Sequence, residues 1–438
     1  MSSHYSYRTY VWKRFRKNKP ALISAYLLGL LVLVAVFSDF IANQQPLYAK
    51  YRGKVFYPAF QTLFHKTLTD STLNPLTGKY ERLQFDITDW RQLDLEKVVW
   101  APIPYSATQH DKYNTDYAAP SANQKYKNSR GEITSVPPIF KHKLGTNNIG
   151  QDVAAGLIHG TGVAMRVGLI AMGIAAFFGI LIGALAGYFG DHALRIRRAS
   201  YLLGFVGLFF GYFYGFVVRK QALAYAFNNG FGYGMLSLFL GLIIAAVFIV
   251  GFGYLGTFFR KSKKVHIPVD ILISKLIEIV DSMPALLLII TISALFIDKS
   301  LVLVMTIIGL LSAPRIARLV RAEFLRIRNL GYIQSARALG LGDTRIILRH
   351  ILPNTLAPVF VYIAFGIASA VIAESSLSFL GIGVPPEDVT WGSLISSARD
   401  NYSAWWMVVF PGLAIFATVT MYNLIGEGLR DALDPKRN

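Results

Sequence analysis

Long apolar runs constrain the fold of this chain most, because a helix of about 20 apolar residues crosses a lipid bilayer. The sixth of these runs, at 299–314, is short for a span unless it continues to about Leu319. The composition agrees, with 53% of the 438 residues hydrophobic, 16% charged and a mean hydropathy of +0.43. The sequence therefore predicts an all-α membrane protein with about eight transmembrane helices. The runs lie at 21–41, 162–188, 200–218, 233–257, 271–296, 299–314, 355–381 and 404–426.

The positive charge follows the same pattern of spans. About 24 of the 44 Lys and Arg residues, but only about 7 of the 25 Asp and Glu residues, lie in 1–20, 189–199, 259–270, 313–353 and 427–438. With a cytoplasmic N-terminus and eight crossings, these segments all face the cytoplasm, as the positive-inside rule expects. We therefore expect both termini inside and a retained signal anchor as the first span. Nucleic-acid binding is disfavoured, because the position of the spans already accounts for the positive charge.

A polar, arginine-rich segment at 315–354 lies between the sixth and seventh spans. Its pattern predicts a helix, a glycine break at Gly340–Gly342, a second short helix capped by Asp343, and a stop at Pro353. A cationic helix–turn–helix between two spans is well placed to contact a soluble partner.

Segment 315–354 resembles the coupling loop of ABC importer permeases, in which Glu-Ala-Ala, three residues, Gly, nine residues, Ile, one residue and Leu-Pro follow one another. The glycine, the nine-residue gap and the Leu-Pro pair fit at Gly340 and 352–353, whereas Gln334, Ser335 and His350 depart from the pattern. The resemblance implies that residues of this segment contact a separate ATPase subunit, with helix 332–350 docking in a groove. The implied contact residues are Gln334, Ser335, Ala336, Arg337, Ala338, Gly340, Gly342, Asp343, Leu352 and Pro353.

Other motifs, in the same order along the chain, resemble the C-type permease subunits of dipeptide and oligopeptide ABC importers. They are VWKRFRKNKP at 11–20, LGTNNIGQDV at 144–153, ESSLSFLG at 374–381 with Trp391-Gly392, and the tail at 410–435. The long outer segment resembles that of the microcin C/oligopeptide branch. The resemblance implies a type I ABC importer permease bundle with six core helices in the bacterial inner membrane. It also implies a homologous second permease, one or two ATPase subunits and an external substrate-binding protein as partners.

The chain departs from that family between Gly190 and Asp270, where about 80 residues and two apolar runs intervene. An even number of added spans leaves the downstream orientation unchanged, so we expect a lipid-facing hairpin, or alternatively a regulatory or partner-binding element. The external segment, rich in Tyr, Pro, Asn and Asp, has room for short strands. It either shields the bundle or docks a soluble substrate carrier. The predicted organisation is a cytoplasmic N-terminus and anchor at 1–41, an external segment at 42–152, a first core helix at 153–190, an inserted hairpin at 191–268, and the remaining core at 269–438 with its coupling loop at 315–354.

The sequence contains no phosphate-binding loop, no His-Glu-x-x-His motif and no nucleophile elbow. It contains no cysteine, which excludes disulfides and thiol chemistry. We therefore expect a transporter subunit rather than an enzyme, with no cofactor of its own. ATP and magnesium would be bound by the partner ATPases.

Charged residues inside the spans are costly in hydrocarbon, so each requires an explanation. Glu278 and Asp281 lie near the inner end of the fifth span, and Glu374 lies in the seventh. They either pair within the bundle or line the translocation path. The candidate path residues are Asp281, Met283, Pro284, Glu374 and Phe379, with Met283 and Phe379 as an apolar gate and Pro284 as a local helix break.

The function expected from these features is ATP-driven import of peptides by alternating access. One alternative is an ion-coupled secondary transporter, which would need paired ionisable groups near the middle of the membrane. Another is a membrane anchor or assembly factor. The substrate stays open among dipeptides, oligopeptides, peptide antibiotics, nickel chelates and glycosides.

Overall fold

The structure is a computed structural model and is mainly helical. Its contacts divide the chain into two compact units, one formed by Met1–Leu169 with Ile367–Ala432 and the other by Ile170–Gly366 with Leu433–Asn438. The structure describes residues 7–63, 69–73, 80–84, 89–127, 132–191, 195–228, 231–259, 262–294, 296, 300–382, 385 and 387–434.

Helices account for most of the described residues. They are α1 (Tyr7–Phe15), α2 (Lys19–Val36), α3 (Ser38–Ile41), α4 (Pro58–Leu63), α5 (Val153–Phe189), α6 (Arg198–Tyr212), α7 (Lys220–Asn228), α8 (Phe231–Leu255), α9 (Val269–Asp281), α10 (Ala285–Ala294), α11 (Leu301–Ile327), α12 (Gly331–Ala338), α13 (Asp343–Ile346), α14 (Leu352–Phe379), α15 (Trp391–Ser397) and α16 (Trp406–Leu433). Turns of π-helix occupy Phe213–Val217 and Ile347–Ile351. Short 3₁₀ turns lie at Trp90–Gln92, Pro138–Phe140, Gly256–Phe258 and Ala398–Asp400.

Within the described residues, 7 helical stretches are long and apolar enough to cross a membrane, or 8 if α9 and α10 form one span. The predicted number of about eight is therefore confirmed. Two of the predicted spans are clearly longer in the structure. The span predicted at 162–188 begins at Val153, and the one predicted at 299–314 continues to Ile327.

The span predicted at 271–296 is not straight, because α9 and α10 meet at an angle of 83°. Pro284 has no backbone N–H and restricts the residue before it, so α9 ends at Asp281 and a new helix starts after the proline. The helix break predicted at Pro284 is thus confirmed, and the single continuous span is a wrong prediction.

Helix α5 starts early because residues ahead of the apolar run build a helix cap. Asp152 Oδ1 accepts a hydrogen bond of 2.7 Å from the N–H of Ala155, which lies in the first turn. The added turns then pack in the first unit, where Trp391 Nε1 donates to the carbonyl of Leu157 at 3.1 Å. Polar contacts rather than hydropathy therefore set this end of the helix.

The outer segment in the first unit contains the short strands that the sequence predicts. Strands β1 (Tyr48–Tyr51), β2 (Lys54–Phe56) and β5 (Lys97–Val99) form an antiparallel sheet in the order β2-β1-β5. Two further antiparallel ribbons pair β3 (Thr69–Leu73) with β4 (Tyr80–Gln84), and β6 (Lys125–Lys127) with β7 (Ile133–Ser135). Beneath the sheet, Trp90 packs with Ala49 and Tyr51 in a small apolar core.

A buried charged cluster joins this outer segment to the start of α5. His142, with no exposed surface, lies between Asp152 Oδ2, 2.8 Å from its Nδ1, and Asp111 Oδ2, 3.1 Å from its Nε2. Tyr105 stacks on the imidazole with 4.1 Å between ring centres, and the guanidinium of Arg91 lies 5.2 Å from the centre of the Tyr105 ring. Because both ring nitrogens face carboxylates, the cluster is satisfied when His142 carries two protons.

We expect the stability of the outer segment to fall as pH rises above neutrality. Burial disfavours the charged imidazole, but the hydrogen bonds to Asp111 and Asp152 outweigh it and raise the pKa of His142 above its ordinary 6.5. Burial likewise opposes ionisation of Asp111, yet hydrogen bonds from His142 and Asn114 hold its pKa below the ordinary 3.8. The histidine contribution is therefore complete below about pH 6.5 and is lost as pH rises through the folded pKa. The contribution of Asp111 is present above pH 3.8 and is lost as pH falls.

Hydrogen exchange of residues 89–127 and 132–152 between pH 5 and pH 9 tests this expectation. Protection should decline on the alkaline side in the wild-type protein. In His142→Gln the decline should disappear, and protection should be lower at every pH, because two buried carboxylates lose their cation at a cost of about 3–5 kcal/mol. Protection that is independent of pH in the wild type would contradict the role of His142.

The inserted hairpin, residues 191–268 of the second unit, has a seam of small residues. A Cβ placed on Gly207, Gly211 or Gly215 of α6 and its π turn would lie 2.6–2.8 Å from backbone atoms of α8. The two helices therefore touch backbone to backbone. Strands β8 (Arg195–Arg197) and β9 (Lys264–His266) pair antiparallel at the base of the hairpin.

Candidate functional site

A glycine seam in the second unit positions segment 315–354. Gly179, Gly183 and Gly187 recur every fourth residue on α5, and a Cβ on any of them would lie 2.5–2.8 Å from atoms of α11. On α11 the facing residues Ile316, Ala317, Val320 and Phe324 are buried. Small residues at this spacing let two membrane helices approach closely. The end of α11 that leads into the segment is therefore held firmly along α5.

Two arginine side chains form hydrogen bonds and an ion pair at the end of this seam. Arg328 donates from Nη1 to the carbonyls of Gly187 and Tyr188, at 3.0 and 3.1 Å, and so satisfies the C-terminal end of α5. Arg321 binds Asp270 through two nitrogens, with 2.6 Å between Nη2 and Oδ2. Asp270 lies in the first turn of α9, so this ion pair fixes where α9 meets α11.

Helix α12 presents one face to the protein and one to the surroundings. Ile333 and Ala336 are buried, whereas Gln334, Ser335, Arg337 and Ala338 are exposed. The hydroxyl of Ser335 donates to the carbonyl of Gly331 at 3.0 Å and stays within the helix. The exposed face therefore carries four of the residues that the sequence predicts as ATPase contacts.

The predicted glycine break is confirmed at Gly340. Helix α12 ends at Ala338, and Gly340 has φ +77°. Its N–H donates to the carbonyl of Arg337 at 2.9 Å, and the N–H of Leu341 donates to that of Ala336 at 3.2 Å. These two bonds form a Schellman motif, which favours glycine at the left-handed position.

The residue just before the left-handed glycine of the Schellman turn has a large, exposed apolar side chain. Leu339, directly before Gly340, is 81% exposed. This side chain is therefore available for contact with a partner protein. The resemblance did not single out Leu339, because its position is variable in the motif, although an apolar residue just before a predicted glycine cap is a readable signal.

The prediction that Asp343 caps the second helix is wrong. The N-cap of α13 is Gly342, which has no side chain to accept a hydrogen bond, and Asp343 is the first helical residue. Its carboxylate instead accepts a hydrogen bond from the hydroxyl of Tyr188, at the end of α5. The guanidinium of Arg337 lies 5.3 Å from the centre of the Tyr188 ring.

Tyr188 therefore joins both short helices of the segment to α5, and sequence reasoning missed it. The available signal was the motif Gly187-Tyr188-Phe189-Gly190, which places a tyrosine at the end of a predicted span. Tyrosine is common at such interfaces because its ring is apolar and its hydroxyl is polar.

The predicted stop at Pro353 is also wrong, because helix continues from Asp343 to Phe379. A π turn at Ile347–Ile351 precedes the proline, and the N–H of Leu352 donates to the carbonyl of Ile347. The wider turn accommodates the ring and the missing N–H of Pro353. Segment 332–350 is accordingly two helices separated at Gly340 and Gly342 rather than one docking helix.

The candidate path residues of the second unit lie at the bend between α9 and α10. Asp281 forms an ion pair with Arg318. Nearby on α9, Glu278 accepts a bond of 2.7 Å from Lys275. Met283 is 45% exposed at the bend, next to Pro284. These acidic groups therefore have basic partners, as the interpretation of structural pairing predicts.

The remaining candidate path residues, Glu374 and Phe379, belong to the first unit. Glu374 is 1% exposed and accepts hydrogen bonds from Ser378 at 2.6 Å and from Ser375 at 3.4 Å. Phe379 lies under the guanidinium of Arg399, 4.3 Å from its ring centre. Serine hydroxyls therefore provide hydrogen bonds to the Glu374 carboxyl from its own helix. The role of these five residues in lining the path stays a prediction. In the described part of the chain, no three His, Asp or Glu side chains form a cluster able to hold a metal ion.

Comparison with known proteins relates most of the chain to transport permeases. Residues 253–438 match the family described as binding-protein-dependent transport system inner membrane component, and residues 6–57 match the N-terminal TM domain of oligopeptide transport permease C. The glutathione transport system permease protein GsiD of Pectobacterium atrosepticum is 30% identical over 300 residues, which are 68% of this chain and 74% of that protein.

Two further relatives extend the comparison. The inner membrane ABC transporter permease protein YejE of Escherichia coli is 27% identical over 431 residues, which are 97% of this chain and 96% of YejE. A Brucella suis protein named as a peptide transport system permease is 43% identical over 203 residues, which are 46% of this chain. That alignment spans 66% of the Brucella protein.

Proposed function

This chain belongs to the family of binding-protein-dependent transport system inner membrane components, and from that membership we propose that it is a permease subunit of an ATP-driven importer of peptides. The family match confirms the predicted type I permease fold. Relatives named for peptide and glutathione transport support a substrate with peptide bonds. As a member of this family the chain is a non-enzymatic membrane subunit.

One observation supports the ATP-driven mechanism above the others, namely the exposed tip of α12. The Schellman turn at Gly340 projects Leu339 from a segment that is tied to α5 by Tyr188 and Arg328. A partner that grips this tip can therefore move α5 and α11 with it as stiff bodies. Stiffness of the connection is what transmission of a conformational change requires.

The proposed cycle is alternating access. ATP and magnesium bind to separate ATPase subunits, whose closure pulls the α12 tip and opens the bundle outward. A homologous second permease supplies the other half of the path, and an external binding protein delivers the peptide. The chain lies in the bacterial inner membrane with both termini in the cytoplasm, and the outer segment faces the binding protein.

The position of the charged groups in the fifth span supports this mechanism over ion coupling. A secondary transporter would need paired ionisable groups near the middle of the membrane, whereas Glu278 and Asp281 lie near the inner end of the span. Asp281 and Glu278 are engaged by Arg318 and Lys275 on neighbouring turns or helices. The bent α9–α10 pair then serves as a structural joint beside the seam rather than as an ion site.

A single cysteine at the tip tests the proposal directly, because the natural chain contains none. We expect Leu339→Cys, labelled with a benzophenone maleimide in native membranes and irradiated, to form an adduct with an ATPase subunit identified by mass spectrometry. Peptide uptake by the unlabelled variant should require ATP and resist a protonophore. The matched control is Tyr402→Cys, which is 93% exposed and lies outside the proposed ATPase face.

An ATPase adduct at position 339 alone supports the proposal. An adduct at both positions would mean nonspecific labelling and would contradict the docking of α12. Uptake that is abolished by the protonophore and indifferent to ATP depletion would replace the proposal with ion-coupled transport.

A further inference from the structure

The inserted hairpin has a groove on its surface. It has a volume of about 490 Å³ and is formed by α6, α8 and the ends of the β8–β9 ribbon. Apolar and small residues line most of it, among them Gly204, Phe205, Val250 and Gly253. The volume lies within the range of ordinary small-molecule sites, about 300–1,000 Å³.

Positive charge lies beside the Thr257 end of the groove, next to lining residues that are themselves uncharged. Thr257 also lines the groove, and its carbonyl accepts a hydrogen bond from the guanidinium of Arg197. Ile196, another lining residue, lies between Arg195 and Arg197 on β8, which pairs with β9 through Arg197 and Lys264. A guanidinium has five N–H donors, so Arg197 keeps donors for an anion after bonding to Thr257.

The groove is therefore an apolar channel with the guanidinium of Arg197 beside its Thr257 end. We propose that it binds one anionic phospholipid, with an acyl chain along Gly204 and Gly253 and the phosphate beside Arg197. Charge complementarity selects an anionic over a zwitterionic lipid, because a basic residue near the membrane surface attracts anionic head groups. The hairpin is then a lipid-recognising element of the permease, and this inference does not depend on the transported substrate.

Glycine positions on the hairpin provide a matched pair of variants. A Cβ on Gly204 meets nothing within 4 Å, so Gly204→Leu fills the groove without disturbing the seam. A Cβ on Gly251 of α8 also meets nothing within 4 Å, and Gly251 does not line the groove. Gly251→Leu therefore adds the same side chain to the same hairpin outside the site.

Native mass spectrometry of the full-length, delipidated protein tests the proposal. The probes are 1-palmitoyl-2-oleoyl phosphatidylglycerol and the phosphatidylcholine with the same chains. We expect one phosphatidylglycerol per chain to bind on the order of tenfold more tightly than phosphatidylcholine. Gly204→Leu should remove this binding, and Gly251→Leu should retain it.

Two double variants, each lacking two positive charges, test the contribution of charge. Arg195→Gln with Arg197→Gln should weaken phosphatidylglycerol binding on the order of tenfold, whereas Arg16→Gln with Lys17→Gln removes the same charge elsewhere and should leave it unchanged. All variants are compared at equal elution volume and equal melting temperature in phosphatidylcholine, which establishes that the chain is folded. Equal binding of the two lipids would overturn the proposal. So would full binding by Gly204→Leu, because the lipid would then be held by surface charge alone.

Discussion

Replacing Gly340 with valine should uncouple ATP hydrolysis from peptide uptake while the protein still inserts into the membrane. Gly340 has φ +77°, a conformation that costs an L-residue about 1–2 kcal/mol and a β-branched one more. A Cβ there meets nothing within 4 Å, so the strain falls on the Schellman turn and not on the core. Relief of that strain displaces Leu339 and Leu341. Coupling between sites is typically worth about 1–3 kcal/mol, so its loss should lower uptake by about 5- to 150-fold.

The control for this variant is Gly342→Val. Gly342 has φ −66° and ψ 150°, which valine adopts readily, and a Cβ there also meets nothing within 4 Å. Uptake of labelled peptide and peptide-stimulated ATPase activity are measured in vesicles that contain the complete transporter. Gly340→Asn should recover part of the uptake, because asparagine tolerates the left-handed region better than other non-glycine residues do. Wild-type uptake by Gly340→Val would refute the proposed role of the turn.

Replacing Gly183 with leucine should prevent stable folding of the second unit. A Cβ at this position would lie 2.5 Å from the carbonyl oxygen of Ala317 and 2.8 Å from Cβ of Val320. Overpacking a well-filled core costs about 1–3 kcal/mol, and here the obstacle is backbone that a rotamer change does not move. We expect α5 and α11 to separate, with loss of most of the protein from a monodisperse size-exclusion peak.

Gly173→Leu provides the comparison on the same helix. A Cβ on Gly173 meets nothing within 4 Å, so the leucine extends into open space. Its melting temperature in detergent should remain within a few degrees of the wild-type value. If Gly183→Leu eluted and melted as the wild type does, α5 and α11 would not pack through this seam.

Hydropathy predicted the membrane helices well because a bilayer allows few backbone conformations to cross it. Without water in the hydrocarbon region, every N–H and C=O must be bonded within the span, which makes long apolar runs helical. The same reasoning does not locate helix ends. Helix α5 begins at Val153 because Asp152 caps it, and α11 continues to Ile327 because its polar last turns pack along the glycine seam.

The site was predictable where local rules decide and unpredictable where distant residues compete. Gly340 closes α12 by a local backbone rule, and the spacing of the motif revealed it. Asp343 was expected to cap its own helix, but Tyr188, 155 residues away in sequence, takes its carboxylate. Pro353 was expected to end a helix, but the π turn before it absorbs the missing hydrogen bond. The partner of Asp281 likewise comes from another helix, through Arg318.

The β8–β9 ribbon at the base of the hairpin brings the two ends of the insertion together. Its two strands pair from Arg195 opposite His266 to Arg197 opposite Lys264, so the chain leaves and returns at points about 5 Å apart. A gap of that size can be bridged by a two-residue turn. The two helices of the hairpin can therefore be shortened or exchanged beyond this ribbon without moving the ends of α5 and α9.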